Sequence, residues 1–244
     1  MAQFAFLLLY IFAVLSSAFA DDFSEGKTAY EKRNFKAAYN LFLKAADHGH
    51  AASQYSLGFM CQNGQGVRQN YKEAMKWYRL AADQGFARAQ NNIGLMYQNG
   101  QGVLQDYKEA VRWYRLSAEQ SDVMAQNNLG VMYQNGYGVL PDNKEAARYY
   151  RLAADQGYFM AQNNLGFMYA NGYGVSQDYK EAAKWYRLAA DQGNAVSKCN
   201  LAELYATGMG VKKDLLSAKK LAKEGLAAGA TYCKEVKKKY NLPN

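Results

Sequence analysis

The sequence predicts an all-α solenoid of antiparallel helix pairs, on three observations. A 36-residue step links Leu57, Ile93, Leu129, Leu165 and Leu201, and likewise Gly58, Gly94, Gly130 and Gly166. Self-similarity at a period of about 20–50 residues marks stacked supersecondary units. Within each step the apolar residues fall at helical spacing. Between the helical runs, the same Gly-rich and Asp/Glu-containing punctuation returns each time. Half of the 244 residues are apolar, which excludes a disordered chain, and only two prolines and few β-branched runs argue against a sheet protein.

Residues 1–20 differ from the rest. They carry no charge, and Phe4 to Val14 is an apolar run. Ala18-Phe19-Ala20 satisfies the small-x-small cleavage rule, and the acidic pair Asp21-Asp22 follows. This predicts a secretory signal peptide cut after Ala20, and an exported protein, periplasmic or secreted. No Lys or Arg precedes the apolar run, so an uncleaved membrane anchor is the alternative. No later segment is long and apolar enough to cross a membrane.

Residues 21–50 read as an N-terminal helix pair. Five 36-residue units follow, at 51–86, 87–122, 123–158, 159–194 and 195–230. In the third unit, Ala125, Leu129, Met132 and Tyr133 lie on one face of a first helix, helix A. Asn135-Gly136 then breaks it, because Gly takes the left-handed conformation that ends a helix. Helix B opens at a capping box, as in Asp106-x-x-Glu109, Asp142-x-x-Glu145 and Asp178-x-x-Glu181. It is expected to bury Ala110, Trp113, Tyr114 and Ala118 in the second unit, and to end at Gly85, Gly157 and Gly193. Ser121 replaces that Gly once, which makes this turn the irregular one. Gly94 and Gly130, lacking a Cβ, are expected to let helices A and B approach closely. Residues 231–244 form a basic capping helix.

The formal net charge is +8, and the excess lies late in the chain. Lys212, Lys213, Lys219, Lys220, Lys223, Lys234, Lys237, Lys238 and Lys239 face only Asp214, Glu224 and Glu235. A basic end suits a soluble cap, and also contact with an anionic surface. No nucleic-acid motif accompanies it, and no nucleic-acid partner is expected. Of the three cysteines, Cys61, Cys199 and Cys233, at most two can pair within the chain. Cys199 and Cys233 are the candidate disulfide, almost one repeat apart. They occupy slots on neighbouring A helices whose axes lie about 8–10 Å apart, whereas a bridge needs Cα atoms within about 7 Å. That spacing argues against the bond.

The run A-Q-N-N-L-G-x-M-Y-x-N-G-x-G-V…D-Y-K-E-A…W-Y-R-L-A-A-D-Q-G, present in five near-copies from Ala51 to Ala230, resembles the Sel1-like repeat, a relative of the tetratricopeptide repeat. Residues 26–50 are more similar to the plain tetratricopeptide form, through Gly26, Tyr30, Asn34, Phe35, Ala38 and Ala45-Ala46. The resemblance implies a right-handed superhelix and a role in assembling protein complexes, often in bacterial envelopes or at host contacts. It also implies a peptide-binding groove on the concave face, lined by helix A. Aligned on the Leu-Gly pair, the groove positions are Tyr55, Phe59 and Gln62; Asn91, Leu95 and Gln98; Asn127, Val131 and Gln134; Asn163, Phe167 and Ala170; and Cys199, Glu203 and Ala206. Asn91, Asn127 and Asn163 would offer both donor and acceptor to an extended chain, and the middle column would supply apolar contact. Asn92, Asn128 and Asn164 are expected to tie neighbouring helices.

The sequence therefore points to an exported, non-catalytic scaffold for a protein or peptide partner, without metal or cofactor. The competing class is a cell-envelope hydrolase or β-lactamase-like enzyme, as described for cysteine-rich relatives of this repeat. Ser24-x-x-Lys27 and Ser217-x-x-Lys220 match S-x-x-K, but neither has the partner motifs that such catalysis needs. His48-x-His50 supplies only two metal ligands, too few for a site, with Asp47 the one neighbouring carboxylate. Trp77, Trp113, Tyr149 and Trp185, at helical spacing within each unit, read as core rather than as ligand platforms.

Overall fold

The computed structural model describes residues 21–242, and all their regular structure is helical. The expected signal peptide lies outside the described residues. A first helix, α1, occupies 21–31. After it come α2 (Phe35–Asp47), α3 (Ala51–Asn63), α4 (Tyr71–Asp83), α5 (Ala87–Asn99) and α6 (Tyr107–Glu119). The chain continues through α7 (Val123–Asn135), α8 (Asn143–Asp155), α9 (Phe159–Asn171), α10 (Tyr179–Asp191), α11 (Ala195–Thr207), α12 (Leu215–Ala227) and α13 (Tyr232–Lys239). From α3 to α12 the odd-numbered helices are the A helices and the even-numbered ones the B helices.

Two compact units divide the chain, one ending at Ser117 and the other beginning at Ala118. In the first, Ala38, Phe42, Leu57 and Met60 form one core, and Tyr78, Ala81, Ile93 and Met96 belong to the next. In the second, Tyr150, Leu165, Met168 and Trp185 cluster, followed by Tyr186, Leu201 and Leu204. The basic end has a core of its own in Cys199, Ala218, Ala222, Cys233 and Val236.

What joins helix A to helix B is a ring on a glycine. A Cβ on Gly94 would lie 2.6 Å from the Tyr114 ring, and one on Gly130 would lie 2.5 Å from the Tyr150 ring. The expected close approach of bare backbones is therefore a close approach of a Tyr ring to bare backbone. Tyr78, Tyr114 and Tyr150 are fully buried by it. Each such residue removes about 150–250 Å² from water, so these contacts dominate the stability of a pair. Trp77 and Trp113 are half-buried and Trp185 is buried.

The capping boxes form only in part. Asp142 Oδ1 accepts from the Lys144 and Glu145 amides at 2.8 and 3.1 Å. Glu145 turns outward instead of returning a bond, and takes Arg148 at 2.8 Å. Helix B thus receives its first-turn cap from Asp and a solvent-facing i,i+3 pair from Glu, the latter contributing only a few tenths of a kcal/mol. Ser121 adopts φ 64°, where its counterparts Gly85, Gly157 and Gly193 take 82°, 87° and 91°. An L-residue with a Cβ is strained there.

The Cys199–Cys233 disulfide is formed, with the two Cα atoms 5.0 Å apart. Axial spacing was the wrong measure of reach. Each Cα stands about 2.3 Å off its helix axis, so facing Cα atoms of helices about 8–10 Å apart come within about 3.4–5.4 Å. Gly225 supplies the remaining room, since a Cβ there would meet Cys233 Sγ at 2.6 Å and Cys199 Sγ at 3.1 Å. The same step holds Ala81, Ala153 and Ala189 in earlier repeats. Cys61 is buried and free, and burial pushes its thiol pKa upward.

Two outcomes follow. Ser121→Gly should stabilise the protein by about 0.5–1 kcal/mol, relief of strain exceeding the added unfolded-state entropy, as measured by urea denaturation. Thiol titration in denaturant should find one reactive cysteine before reduction and three after it. Reduction should also cost about 3–4 kcal/mol in the chain-entropy estimate for a 34-residue loop, read as a lower melting temperature.

Candidate functional site

The A-helix positions separate into three columns with different fates. The first column, Tyr55, Asn91, Asn127, Asn163 and Cys199, belongs to the seams between helices. Asn91 is 1% exposed and Asn127 is 7% exposed. Asn127 Oδ1 accepts from Asn164 Nδ2 at 3.0 Å, and Asn163 Oδ1 accepts from Asn200 Nδ2 at 3.2 Å and Ser197 Oγ at 2.8 Å. Tyr55 packs on Tyr78 and Phe86. The expectation of an asparagine ladder open to a peptide backbone is corrected at these positions, because neighbouring A helices already use the carboxamide oxygens of Asn127 and Asn163, and Asn91 is buried. Asn164 ties helices as expected.

One step further along, the Asn163–Ser197 hydrogen bond becomes the disulfide, because Cys199 and Cys233 stand 36 residues after that pair. The same seam is closed by a polar bond in one repeat and by a covalent bond in the next.

The third column serves the inside of each pair. Gln62, Gln98 and Gln134 each accept from the hydroxyl of Tyr78, Tyr114 and Tyr150 at 2.7 Å. The buried Tyr rings are thereby satisfied at their polar end, and burial raises the pKa of all three phenols. Ala170 and Ala206 cannot do this.

Only the middle column keeps an apolar surface. Phe59 is 37% exposed and Phe167 40% exposed, with Leu95 and Val131 half-buried. Phe59 also lines an apolar cavity of about 350 Å³ with Tyr30, Phe42 and Tyr55. In α11 the same slot holds Glu203, which anchors the end helix. Its Oε1 accepts from Lys239 Nζ and Tyr240 Oη, each at 2.8 Å, and its Oε2 from Tyr232 Oη at 2.6 Å. Burial alone would raise its pKa, but the bonds from Lys239, Tyr232 and Tyr240 outweigh that and hold the carboxyl below its ordinary value.

The residues set aside as candidate chemistry have structural partners. His50 Nδ1 accepts from the Ser53 amide at 3.3 Å and caps α3. Ser217 Oγ donates to Asp214 Oδ2 at 2.6 Å within the cap of α12. No group of three or more metal-ligating side chains occurs among the described residues.

The model of the Sel1 repeat matches residues 23–50, 51–86, 87–122, 123–158, 159–194 and 195–229. The chain belongs to the Sel1 repeat family. A protective antigen of uropathogenic Escherichia coli with this fold is 34% identical over 91% of the chain, with a TM-score of 0.82. The chain spans 48% of that protein, about half its length. A Sel1 repeat protein of Oxalobacter formigenes is 33% identical, with 88% of this chain and 86% of that one covered and a TM-score of 0.82. An immunity protein of Pseudomonas aeruginosa, 18% identical over 85% of this chain and 83% of that one with a TM-score of 0.55, shares the fold alone. A search of curated proteins found no significant match.

Sequence reasoning missed one set of Sel1-repeat ties. Arg79 donates to the Tyr97 hydroxyl at 2.8 Å, Arg151 to Tyr169, and Arg187 to Tyr205 at 2.6 Å. Each joins a B helix to the A helix of the following repeat. Arg and Tyr recurring at a fixed offset of 18 was the available signal.

The lowered Glu203 pKa has a definite sign. A depressed carboxyl stabilises the fold above its unfolded value, about 4.3, and that contribution is lost as pH falls through the folded value. Glu203→Gln should therefore melt earlier than wild type at pH 6, and the gap should close as the pH is taken below about 4.

Proposed function

We propose that this Sel1 repeat protein is an exported, non-catalytic scaffold that binds a protein or peptide partner through its A-helix surfaces. The single observation that carries the reading is the middle column, where Phe59 and Phe167 stay exposed at the same step of α3 and α9. Large aromatic side chains left in water at a repeated position are the anchors that recognition uses. Export rests on residues 1–20 and is supported by the buried Cys199–Cys233 bond, since disulfides persist in oxidising compartments. The 34% identical relative is a protective antigen, in keeping with a chain that leaves the cytoplasm. No helix among the described residues is long and apolar enough to cross a membrane. The basic surface of α12 and α13 is a secondary contact for anionic groups. Against catalysis stands the engagement of Ser217 in a helix cap.

The test is capture of a partner from envelope and host extracts by immobilised protein, comparing wild type with Phe59→Ser, Phe167→Ser and the double variant. The double variant should keep its helical circular dichroism and lose at least tenfold in capture, about 1.4 kcal/mol. Undiminished capture with an intact fold would move binding to another surface, the basic end first.

A further inference from the structure

One Tyr–Gln pair is broken on one side only. In the first three Sel1 repeats after α2 the buried hydroxyl donates to a Gln sixteen residues earlier, at Gln62, Gln98 and Gln134. The same step back from Tyr186 reaches Ala170. Tyr186 is held as its counterparts are, 3% exposed and with its ring against Gly166, where a Cβ would lie 2.7 Å away. Its hydroxyl makes no hydrogen bond to any described residue. In the last pair both partners are gone together, replaced by Ala206 and Ala222, so nothing is left over there. Only at Tyr186 is the donor kept and the acceptor lost.

The space in front of it is a cavity of about 310 Å³, lined by Phe167, Ala170, Tyr186, Asn200 and Glu203 among others. Loss of the Gln side chain opens its floor, and α13 walls one side through Tyr232, Lys239 and Tyr240. The Tyr186 hydroxyl lines this open cavity and has no acceptor among the described residues, so an occupant that accepts from it gains a hydrogen bond. Glu203 lines the same space ion-paired with Lys239 and accepting from Tyr232 and Tyr240, so the cavity suits a neutral group that turns a donor towards the carboxylate. A side-chain carboxamide meets both demands, its oxygen accepting from Tyr186 and its NH₂ facing Glu203.

We propose that this cavity receives a glutamine side chain from a bound peptide, which supplies the group that Gln62, Gln98 and Gln134 supply internally elsewhere. The inference rests on the reading that the chain binds a peptide, and adds what that peptide must carry. The occupant's apolar stem lies along Phe167, and its head completes the broken pair.

The probe is N-acetyl-Ala-Gln-Ala-amide, titrated into the full, disulfide-bonded chain while backbone amide resonances are followed by NMR. Saturable shifts are expected at Asn200 and Glu203, at least tenfold weaker with the Leu or Glu tripeptide. Ala170→Gln, which refills the slot from within, should weaken binding at least tenfold, as should Tyr186→Phe, which keeps the ring and removes the donor. If Ala170→Gln does not fold, Tyr186→Phe decides. Equal binding of the Leu tripeptide, no saturable binding of the Gln tripeptide, or undiminished binding by Tyr186→Phe would each overturn the proposal. Partner capture by wild type that still depends on Phe59, which does not line this cavity, would then leave the scaffold reading standing. Capture that depends on neither Phe59 nor Phe167 would remove that reading separately.

Discussion

Four of the helix pairs rest on a tyrosine ring packed against a glycine, at Gly58, Gly94, Gly130 and Gly166. The ring of Tyr150 covers Gly130 so closely that a single methyl group at that glycine would collide with it at 2.5 Å. The contact buries a large aromatic side chain completely while keeping two helices near enough for Ala-rich faces to interlock. It also creates a second demand, because the phenolic oxygen is carried inside with the ring. The Gln at the end of helix A meets that demand at 2.7 Å. Glycine, tyrosine and glutamine thus form one device, and the 36-residue period is the period of that device.

The seams between pairs add polar ties to apolar cores that run from one pair to the next. Asn127 and Asn163 receive bonds from the next A helix, and Arg79, Arg151 and Arg187 reach the tyrosines of the following repeat. Directional bonds fix the register of one pair on the next, which a smooth apolar face alone would leave loosely specified. Since each pair contacts only its neighbours, stability accumulates repeat by repeat, and the ends need separate treatment. At the C-terminal end the treatment is a disulfide in place of the Asn–Ser bond, and Glu203 in place of an apolar surface residue. Both substitutions turn a surface meant for another repeat into an anchor for α13.

Departures from the repeat carry the functional information. Residues that recur in every unit are accounted for by packing, caps and seams. Phe59 and Phe167 are exposed where the scaffold does not require an aromatic, and Ala170 removes an acceptor whose donor remains. A repeat protein exposes its binding chemistry as exceptions to its own pattern, because the identical units show what structure alone would have placed there.

The sequence by itself determined the helix pairs, their boundaries and their caps. These depend on short-range physics that a 36-residue step prints five times over, as with the Gly136 turn and the Asp142 cap. The special character of Ser121 was also legible, because its counterparts are glycines. The tertiary structure alone decided which face of helix A stays free. Asn91, Asn127 and Asn163 carry groups equally suited to a peptide and to a neighbouring helix, and only the distance to that helix assigns them. It likewise decided the disulfide, since reach depends on facing Cα atoms and on a missing Cβ at Gly225, on the helix that lies between the two cysteines in sequence. The unmatched hydroxyl of Tyr186 lay in the sequence as an Ala where Gln was due, but its meaning needed the bond that joins the other three pairs.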